Sequence, residues 1–417
     1  MSEDHTPESE FDRFVETIRL DELCATASRS RNGISCSLGN HTIGGFNVVY
    51  ELNFSDGIVW VARIPLPYNC YQPEEMSVSY AATLKYIKKN STMPVPKVYA
   101  YDVQSAPENK VKATYILMER LSGHALPTLE RTDFEPSEEE LRLVTKIHTQ
   151  LTDIILQLAS LKFDKIGSLR ENPDGEFFVA PYTETNATAY PQYKAIAYNK
   201  LSPQHKGPFS SVLEWYNAIA ELNRKYALGD PDEEEDRDET VADYELLAEL
   251  AEHFVVPEFA NGPFVINHND LTIQNILVDD DLNITGILDF PGTIVPLPSL
   301  CVYPWLFSDN ISGLVTDRSI FLDIFISRDC QSSFPSSALL STQVRKDLMT
   351  TAEARQSFEL GLMGPYTSLV LPRLYKEINK QPFDSEREYQ RVVDTRGWFR
   401  DLVLTGEDGL YSWQRAE

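Results

Sequence analysis

The sequence predicts an α+β protein built as two lobes, with an antiparallel, β-rich N-terminal lobe over residues 1–120 and a mainly helical C-terminal lobe over residues 121–417. Three observations lead to this prediction. Residues 34–64 alternate apolar and polar side chains, which is the period of a strand. After Met118 the apolar residues recur at helical spacing, and a short β unit at 264–290 interrupts them. With 42% hydrophobic residues, the chain can fill both lobes.

The N-terminal lobe contains a strong hairpin signal. Asp56-Gly57 separates two apolar segments, and both residues accept the positive φ angles of a tight turn between antiparallel strands. Around this turn the pattern predicts, in chain order, a helix, two strands, a second helix and two further strands: 11–28, 51–54, 58–61, 74–89, 97–101 and 113–118.

The C-terminal lobe is predicted to consist mainly of helices, at 137–161, 209–227, 240–254, 344–363 and 366–380. The acidic run at 229–240 cannot bury its like charges, so it predicts a solvated loop. The proline-rich segment 291–298 is predicted to be a loop as well.

Composition limits the classes of partner. A net charge of −26 argues against a nucleic-acid partner, because the chain has no overall excess of positive charge to neutralise the phosphates. The five cysteines form no C-x-x-C pair, and such scattered cysteines are typical of a reducing compartment. The N-terminus shows no secretory or transit pattern, and no apolar run approaches the ~18 residues of a membrane span. We therefore expect a cytoplasmic protein without nucleic-acid or membrane partners. The sequence does not determine the oligomeric state, and we expect a monomer.

The segment 266–290 carries the chemistry. Asp270, Asn275 and Asp289 follow one another at fixed spacing, between short apolar strands that bring the three side chains to one end of a small β unit. Protein kinases use this arrangement for a catalytic base and two magnesium ligands. Mg²⁺ prefers oxygen ligands, which a carboxylate and an amide supply. For any one of these residues alone, an ordinary turn residue on a surface hairpin is the favoured interpretation. The three together favour a phosphotransferase.

Two features of the N-terminal sheet could complete a nucleotide site. Gly44-Gly45 lies between two strands, where glycine lets backbone N–H groups approach phosphates, although a tight hairpin explains the pair as well. Arg63 ends a later strand, where a kinase places its phosphate-binding lysine. A guanidinium is permanently charged and binds oxyanions in a forked geometry. A surface charge at a strand end is the alternative interpretation of Arg63.

Several segments together resemble the aminoglycoside phosphotransferase family, and most closely its large fungal branch, which is related to choline kinases and protein kinases. They are GGFNVVYELNFSDGIVWVARIP, STMPVPKVYAYD, YILMERLSGHAL, FDKIGSL, INHNDLTIQNILVD and ITGILDF. The resemblance covers roughly residues 35–310 and is most specific in the catalytic segment. It implies a bilobal, protein-kinase-like fold and transfer of phosphate from ATP, with Mg²⁺, to a hydroxyl of a small-molecule acceptor.

The resemblance also implies roles for individual residues. Asp270 is the expected catalytic base, and His268 is expected to brace its loop. Asn275 and Asp289 are the expected magnesium ligands. The expected nucleotide contacts are the glycine pair, the strand cation and the backbone that meets the adenine: Gly44, Gly45, Arg63, Glu119 and Leu121.

Two positions depart from the family pattern. Asn269 stands in the catalytic loop where Gly is usual, which is a mild change because Asn tolerates unusual backbone angles. Tyr80 stands in the first N-lobe helix where the family has a Glu that pairs with the strand cation. Glu74 or Glu75 could replace that partner; otherwise Arg63 has none.

Three hypotheses follow for the activity. An active small-molecule kinase is favoured by the retention of Asp270, Asn275 and Asp289. A pseudokinase, which is a nucleotide-binding or structural module with little turnover, is favoured by Tyr80. A hydrolase of phosphate esters is disfavoured, because the sequence contains no dedicated metal cluster.

Overall fold

The computed structural model describes residues 7–127, 137–183, 191–229, 237–268, 270–290, 292–300, 317–331, 354–355, 357–359, 361–363, 367–396, 402–405 and 412–415. The helices are α1 Pro7–Thr17, α2 Leu20–Ser30, α3 Pro73–Asn90, α4 Glu138–Ser160, α5 Pro191–Asn199, α6 Val212–Gly229, α7 Arg237–Leu250, α8 Asp317–Gln331, α9 Thr367–Asn379 and α10 Ser385–Arg396. The strands are β1 Cys36–Ile43, β2 Asn47–Phe54, β3 Val59–Pro65, β4 Val98–Asp102, β5 Tyr115–Glu119, β6 His124–Ala125, β7 Lys162–Phe163, β8 Gly167–Glu171, β9 Phe177–Ala180, β10 Phe264–Asn267, β11 Ile276–Val278, β12 Ile284–Ile287, β13 Thr293–Pro296, β14 Leu402–Thr405 and β15 Ser412–Arg415.

The N-terminal sheet is antiparallel, in the order β1-β2-β3-β5-β4. Gly57 makes the predicted turn between β2 and β3 with a φ of +84°. In the register of the sheet, Arg63 on β3 lies between Val49 on β2 and Ile116 on β5. The α+β class, with an antiparallel sheet in the N-terminal part and helices in the C-terminal part, is confirmed.

Two hydrophobic cores meet at this sheet, because successive side chains of a strand point to opposite faces. Leu117 on β5 packs with the buried side chains of α2, β2 and β3 in a smaller core. Its neighbours Ile116 and Met118 belong to the main core, which also contains α3 and the C-terminal helices. Helix α3 therefore buries its apolar face together with the C-terminal part of the chain.

A polar and aromatic contact region holds α3 against β7 and the β8–β9 hairpin. Glu75 and Lys85 on α3 form ion pairs with Arg170 and Glu171 on β8, each at 2.6 Å. The Tyr86 ring packs against the rings of Phe163 and Phe177, both with centroids 5.2 Å away. The position of α3 is thus set by the C-terminal part as well as by its own sheet.

The C-terminal part contains a second antiparallel sheet, in the order β7-β10-β13-β8-β9. Its strand β13 corrects the prediction of a loop over 291–298. The β-branched residues Thr293, Ile294 and Val295 are buried and pair with β10 and β8. Prolines at both ends of this short segment obscured its strand character. A third sheet, β12-β11-β6, contains the predicted catalytic hairpin.

The predicted helices are largely present, with shifted ends. The predicted helix at 11–28 is two helices, which separate at Ile18-Arg19, where the Arg19 N–H donates to the Val111 carbonyl at 2.8 Å. Most of the predicted helix at 344–363 and the centre of the acidic run 229–240 lie outside the described residues. The end of that run corrects the prediction of a loop, because helix α7 already begins at Arg237. Among the residues that the structure describes, no helix combines the length and the hydropathy needed to cross a membrane.

Candidate functional site

The loop after β10 presents Asp270 at the surface, and Asn275 closes this loop. A 3₁₀ turn over Ile273–Asn275 brings the Asn275 side chain back to Asp270. Its Nδ2 donates to the Asp270 backbone carbonyl at 2.8 Å and to the carboxylate Oδ2 at 2.9 Å. Both bonds use the amide nitrogen, so the amide oxygen is the atom available to a cation. Asn269 lies outside the described residues.

Asp289 follows β12 in a left-handed backbone conformation, with a φ of +58°. Pairing of β11 with β12 brings the end of β12 beside Asn275. There the Leu288 N–H donates to the Asn275 carbonyl at 2.8 Å. A non-glycine residue with positive φ is uncommon and is held by its surroundings. The two predicted metal ligands thus lie at the same end of one hairpin.

His268 ties the Asp270 loop to the strand end that carries Asp289. Its Nε2 lies 2.7 Å from the Leu288 carbonyl, to which it donates, and its ring packs on Phe290 with centroids 4.4 Å apart. The side chain is only 6% exposed, and this burial lowers the pKa of the imidazole. The ring is therefore neutral near pH 7 and acts as a connection between the two segments.

The Asp270 carboxylate is a stronger proton acceptor than an ordinary aspartate. Partial removal of water from the carboxylate raises its pKa, and the negative charge of Asp289 raises it further. The hydrogen bond from Asn275 opposes both effects, because it stabilises the charged form. A carboxylate in this environment suits the acceptance of a proton from a hydroxyl group.

Arg63 lies between two groups of the site. Its Nη2 donates to Asp289 Oδ1 in an ion pair, and its guanidinium lies over the Tyr80 ring, 4.2 Å from the centroid. Tyr80 is 3% exposed, and burial raises the pKa of its hydroxyl to about 12. The ring is therefore a neutral surface beneath a permanent cation.

This arrangement corrects the expectation for Arg63. Glu74 binds the backbone N–H and hydroxyl of Ser105, at 2.7 and 2.5 Å, and Glu75 binds Arg170. Both carboxylates are engaged away from Arg63, so neither replaces the glutamate of the family pattern. The expectation that Arg63 then has no partner is also wrong, because Asp289 and Tyr80 hold it.

The remaining predicted residues lie on the N-terminal sheet and on the connector that follows it. Gly44 and Gly45 form the open turn between β1 and β2, where the Gly45 carbonyl accepts a hydrogen bond from the Asn69 side chain. The Glu119 N–H already donates to the Lys97 carbonyl at 2.8 Å. Leu121 lies against Gly286 on β12, where an added Cβ would come within 2.8 Å of the leucine Cδ1.

Sequence reasoning missed the contact between the Asp289 turn and α3. Gly292 has a φ of +82°, and a Cβ there would lie 2.7 Å from Thr83 Oγ1 and 3.0 Å from Ser79 Oγ. Its carbonyl also accepts a bond from Ser79 Oγ at 3.4 Å. The glycine three residues after Asp289 is a signal that could have indicated such a close approach.

The donor set fits a hard divalent cation. The Asn275 amide oxygen and the Asp289 carboxylate are oxygen ligands of the kind that Mg²⁺ prefers. In the structure the Asp289 carboxylate is neutralised by Arg63, so a cation would compete with that ion pair. Among the described residues, no group of three or more His, Cys, Asp or Glu side chains is placed to hold a metal.

Comparison with known proteins gives matches of two kinds. A model of the phosphotransferase enzyme family matches residues 43–293, which is more than half of the chain. A subtelomeric hrmA-associated cluster protein of Aspergillus fumigatus is 34% identical over 138 residues, or 31% of this chain and 24% of that protein. Altered inheritance of mitochondria protein 9, mitochondrial, of Kluyveromyces lactis is 22% identical over 302 residues, or 60% of this chain and 47% of that protein. The chain thus spans less than half the length of these curated relatives.

Two solved structures are also similar. A macrolide 2′-phosphotransferase from Brachybacterium faecium has a TM-score of 0.41 at 14% identity, covering 87% of this chain and all of that one. A choline kinase from Streptococcus pneumoniae has a TM-score of 0.42 at 12% identity, covering 90% of this chain and 98% of that one.

Proposed function

The chain belongs to the phosphotransferase enzyme family, and from this premise we propose that it transfers a phosphoryl group from ATP to a hydroxyl group of a small molecule, with Mg²⁺. Membership confirms the resemblance drawn from the motifs at the family level. The observation that carries the proposal is the hydrogen-bonded unit of Asp270 and Asn275, which stands beside the carboxylate of Asp289.

Asp270 is the proposed catalytic base. The acceptor hydroxyl donates a hydrogen bond to its exposed carboxylate, which orients the attacking oxygen and takes the proton as the new bond to phosphorus forms. The raised pKa of Asp270 supports this role, since the carboxylate becomes a better proton acceptor than an ordinary aspartate. Asn275 restrains the carboxylate through its amide nitrogen.

Asn275 Oδ1 and the Asp289 carboxylate are the proposed ligands of the metal. When bound, Mg²⁺ would neutralise negative charge on the phosphates of the nucleotide. Arg63 is proposed to bind those phosphates through its guanidinium, and His268 to keep the Asp270 loop in register with Asp289.

The adenine is proposed to meet the connector that begins at Glu119. Because the Glu119 N–H is bonded to Lys97, the backbone that follows, up to Leu121, is the proposed contact. The open turn at Gly44-Gly45 is proposed to approach the phosphates from the sheet. We further propose a cytoplasmic monomer without nucleic-acid or membrane partners; the charge of −26 supports the exclusion of nucleic acid.

A nucleotide-binding protein with little turnover is the second candidate. The observation that favours it is Tyr80, which supplies no negative charge where the family has a glutamate, so that Arg63 pairs with the proposed metal ligand itself. This candidate predicts binding of ATP without phosphorylation of any acceptor.

The deciding experiment separates binding from turnover. Wild-type protein should unfold at a higher temperature with ATP plus Mg²⁺ than with either alone. A ligand at 100 times its Kd raises the free energy of unfolding by about 2.7 kcal/mol. ATP consumption is then screened against a library of hydroxyl-bearing metabolites, and the product is identified by mass. Asp270→Ala should keep the thermal shift and lose the product.

Asp281→Ala, at the exposed tip of the β11–β12 hairpin, is the matched control and should keep both. Absence of any shift for the wild type at millimolar ATP would overturn the proposal. A shift without any product across the library would favour the second candidate. Loss of both readouts in Asp270→Ala would make Asp270 a structural residue.

A further inference from the structure

Two dissimilar groups hold the Arg63 guanidinium, and only one of them is charged. The Asp289 carboxylate forms the ion pair, and the Tyr80 ring lies 4.2 Å from the guanidinium carbon. The Arg63 side chain is 13% exposed, so the contact with the ring is largely shielded from water. A desolvated cation over an aromatic face is held more firmly than one at the surface.

We propose that Tyr80 is a positioning residue that holds the Arg63 guanidinium on its ring face, so that Arg63 can exchange the Asp289 carboxylate for the phosphates of the nucleotide. The inference rests on the proposed function, because it concerns binding of ATP. It assigns a role to the position at which the chain departs from the family pattern.

The chemistry of the pair supports this role. A guanidinium is planar and stacks on aromatic rings, which an ammonium group does less well, so Arg63 and Tyr80 suit each other. The ring attracts the cation without a net negative charge, and it therefore repels phosphate less than a carboxylate in the same place would. If a metal took the Asp289 carboxylate, the ring would still restrain Arg63.

The structure also restrains the ring itself. Ion pairs of Glu75 and Lys85, one on each side of Tyr80 along α3, fix the helix to β8. Ser79 and Thr83 lie on α3 before and after Tyr80, and they contact Gly292 in the segment that follows Asp289. The distance between the ring and Asp289 is thus set by contacts on both sides of the site.

The test compares ligands with and without phosphates. Binding of ATP with Mg²⁺ and of adenosine is measured by calorimetry for the wild type, Tyr80→Leu and Tyr80→Phe. Tyr80→Leu should weaken ATP binding on the order of tenfold, which is about 1.4 kcal/mol, and leave adenosine binding unchanged. Tyr80→Phe keeps the ring face and should bind ATP within about twofold of the wild type.

Tyr101→Leu is the matched control. Its ring contacts the Lys85 ammonium on the same helix, at 5.1 Å, so this variant removes a cation–aromatic contact away from Arg63 and should bind ATP normally. A double-mutant cycle completes the design: in the Arg63→Met background, Tyr80→Leu should cause no further loss of ATP affinity. If Tyr80→Leu does not fold, Arg63→Lys tests the contact from the other side and should also weaken ATP binding severalfold.

The outcomes separate this inference from the proposed function. If the wild type binds no ATP with Mg²⁺, the proposed function fails and the inference fails with it. If the wild type binds ATP and Tyr80→Leu binds it equally well, the inference alone is wrong. Tyr80 would only maintain the fold if Tyr80→Leu bound both ATP and adenosine more weakly. The same would follow if Tyr80→Leu weakened ATP binding as much in the Arg63→Met background as in the wild type. Normal ATP binding by Arg63→Lys would also overturn the inference.

Discussion

At the scale of single residues, the surroundings of Asp270 disfavour the charged form of its carboxylate. The pKa of Asp270 is raised chiefly because water is partly removed from the carboxylate, and secondarily because Asp289 is near. Between the ordinary pKa of an aspartate and this raised pKa, the folded state binds more protons than the unfolded state. The free energy of unfolding therefore rises as the pH falls through that window.

Asp270→Asn should accordingly stabilise the fold near neutral pH, while it removes turnover. The expected gain in the free energy of unfolding is less than about 1 kcal/mol, since solvent screens an exposed carboxylate. The gain should shrink as the pH falls and the wild-type carboxylate becomes neutral. Urea denaturation of both proteins at several pH values measures this difference. Asp281→Asn controls for the loss of one negative charge, and an equal gain in that variant would contradict the prediction.

Sequence spacing predicted which residues gather around Asp270, but not all of their contacts. The interval from Asp270 to Asn275 is short, so one 3₁₀ turn determines their contact. Arg63 and Tyr80 lie on different elements, and their contact depends on how α3 packs against β3. No local pattern encodes that packing, so Tyr80 could be recognised as a departure but not as a partner.

At the scale of elements, the turn after β12 couples the predicted metal ligand to α3. Gly292 combines a positive φ with a close approach to Thr83 and Ser79. The sequence predicted β10, β11 and β12 because their apolar runs are bounded by turn residues. It failed for β13, since prolines flank a strand whose burial on both faces removes the alternation of polar and apolar residues.

Gly292→Ala should destabilise the protein more than Gly175→Ala does. Gly175 has a similar φ of +80°, but an added Cβ there meets nothing within 4 Å, so only the backbone cost of about 1–2 kcal/mol applies. At Gly292 the contact with α3 should add about 1 kcal/mol or more to that cost. Chemical denaturation of the two variants gives the difference directly. Equal losses would mean that α3 moves away from the turn at no cost.

At the scale of the whole molecule, the two cores do not follow the order of the chain. The periodicity change near Met118 predicted the class of the fold, and the division at residue 120 stays a prediction for the domain boundary. Side-chain burial places α3 in the same core as the C-terminal helices, while α2 packs in the smaller core on the other face of the sheet. A period along the sequence identifies a helix, but it does not say which of two cores the helix joins.

This arrangement predicts two levels of local stability within the N-terminal part. In native-state hydrogen exchange, amides of α3 should be protected to the same level as those of α4, which lies in the same core. Amides of α2 should exchange faster, because the smaller core can open by itself. Exchange followed by mass spectrometry of peptides resolves these segments. Equal exchange in α2 and α3 would show that both cores open as one unit.

The ion pair between Arg63 and Asp289 has a thermodynamic consequence for the proposed function. Under the proposed function, Mg²⁺ would have to displace a permanent cation from the carboxylate, whereas nucleotide phosphates would draw that cation away. The two proposed ligands would therefore favour each other's binding, and by reciprocity each would raise the affinity of the other by the same factor. The protein would consequently hold little metal at rest and would acquire it together with the nucleotide.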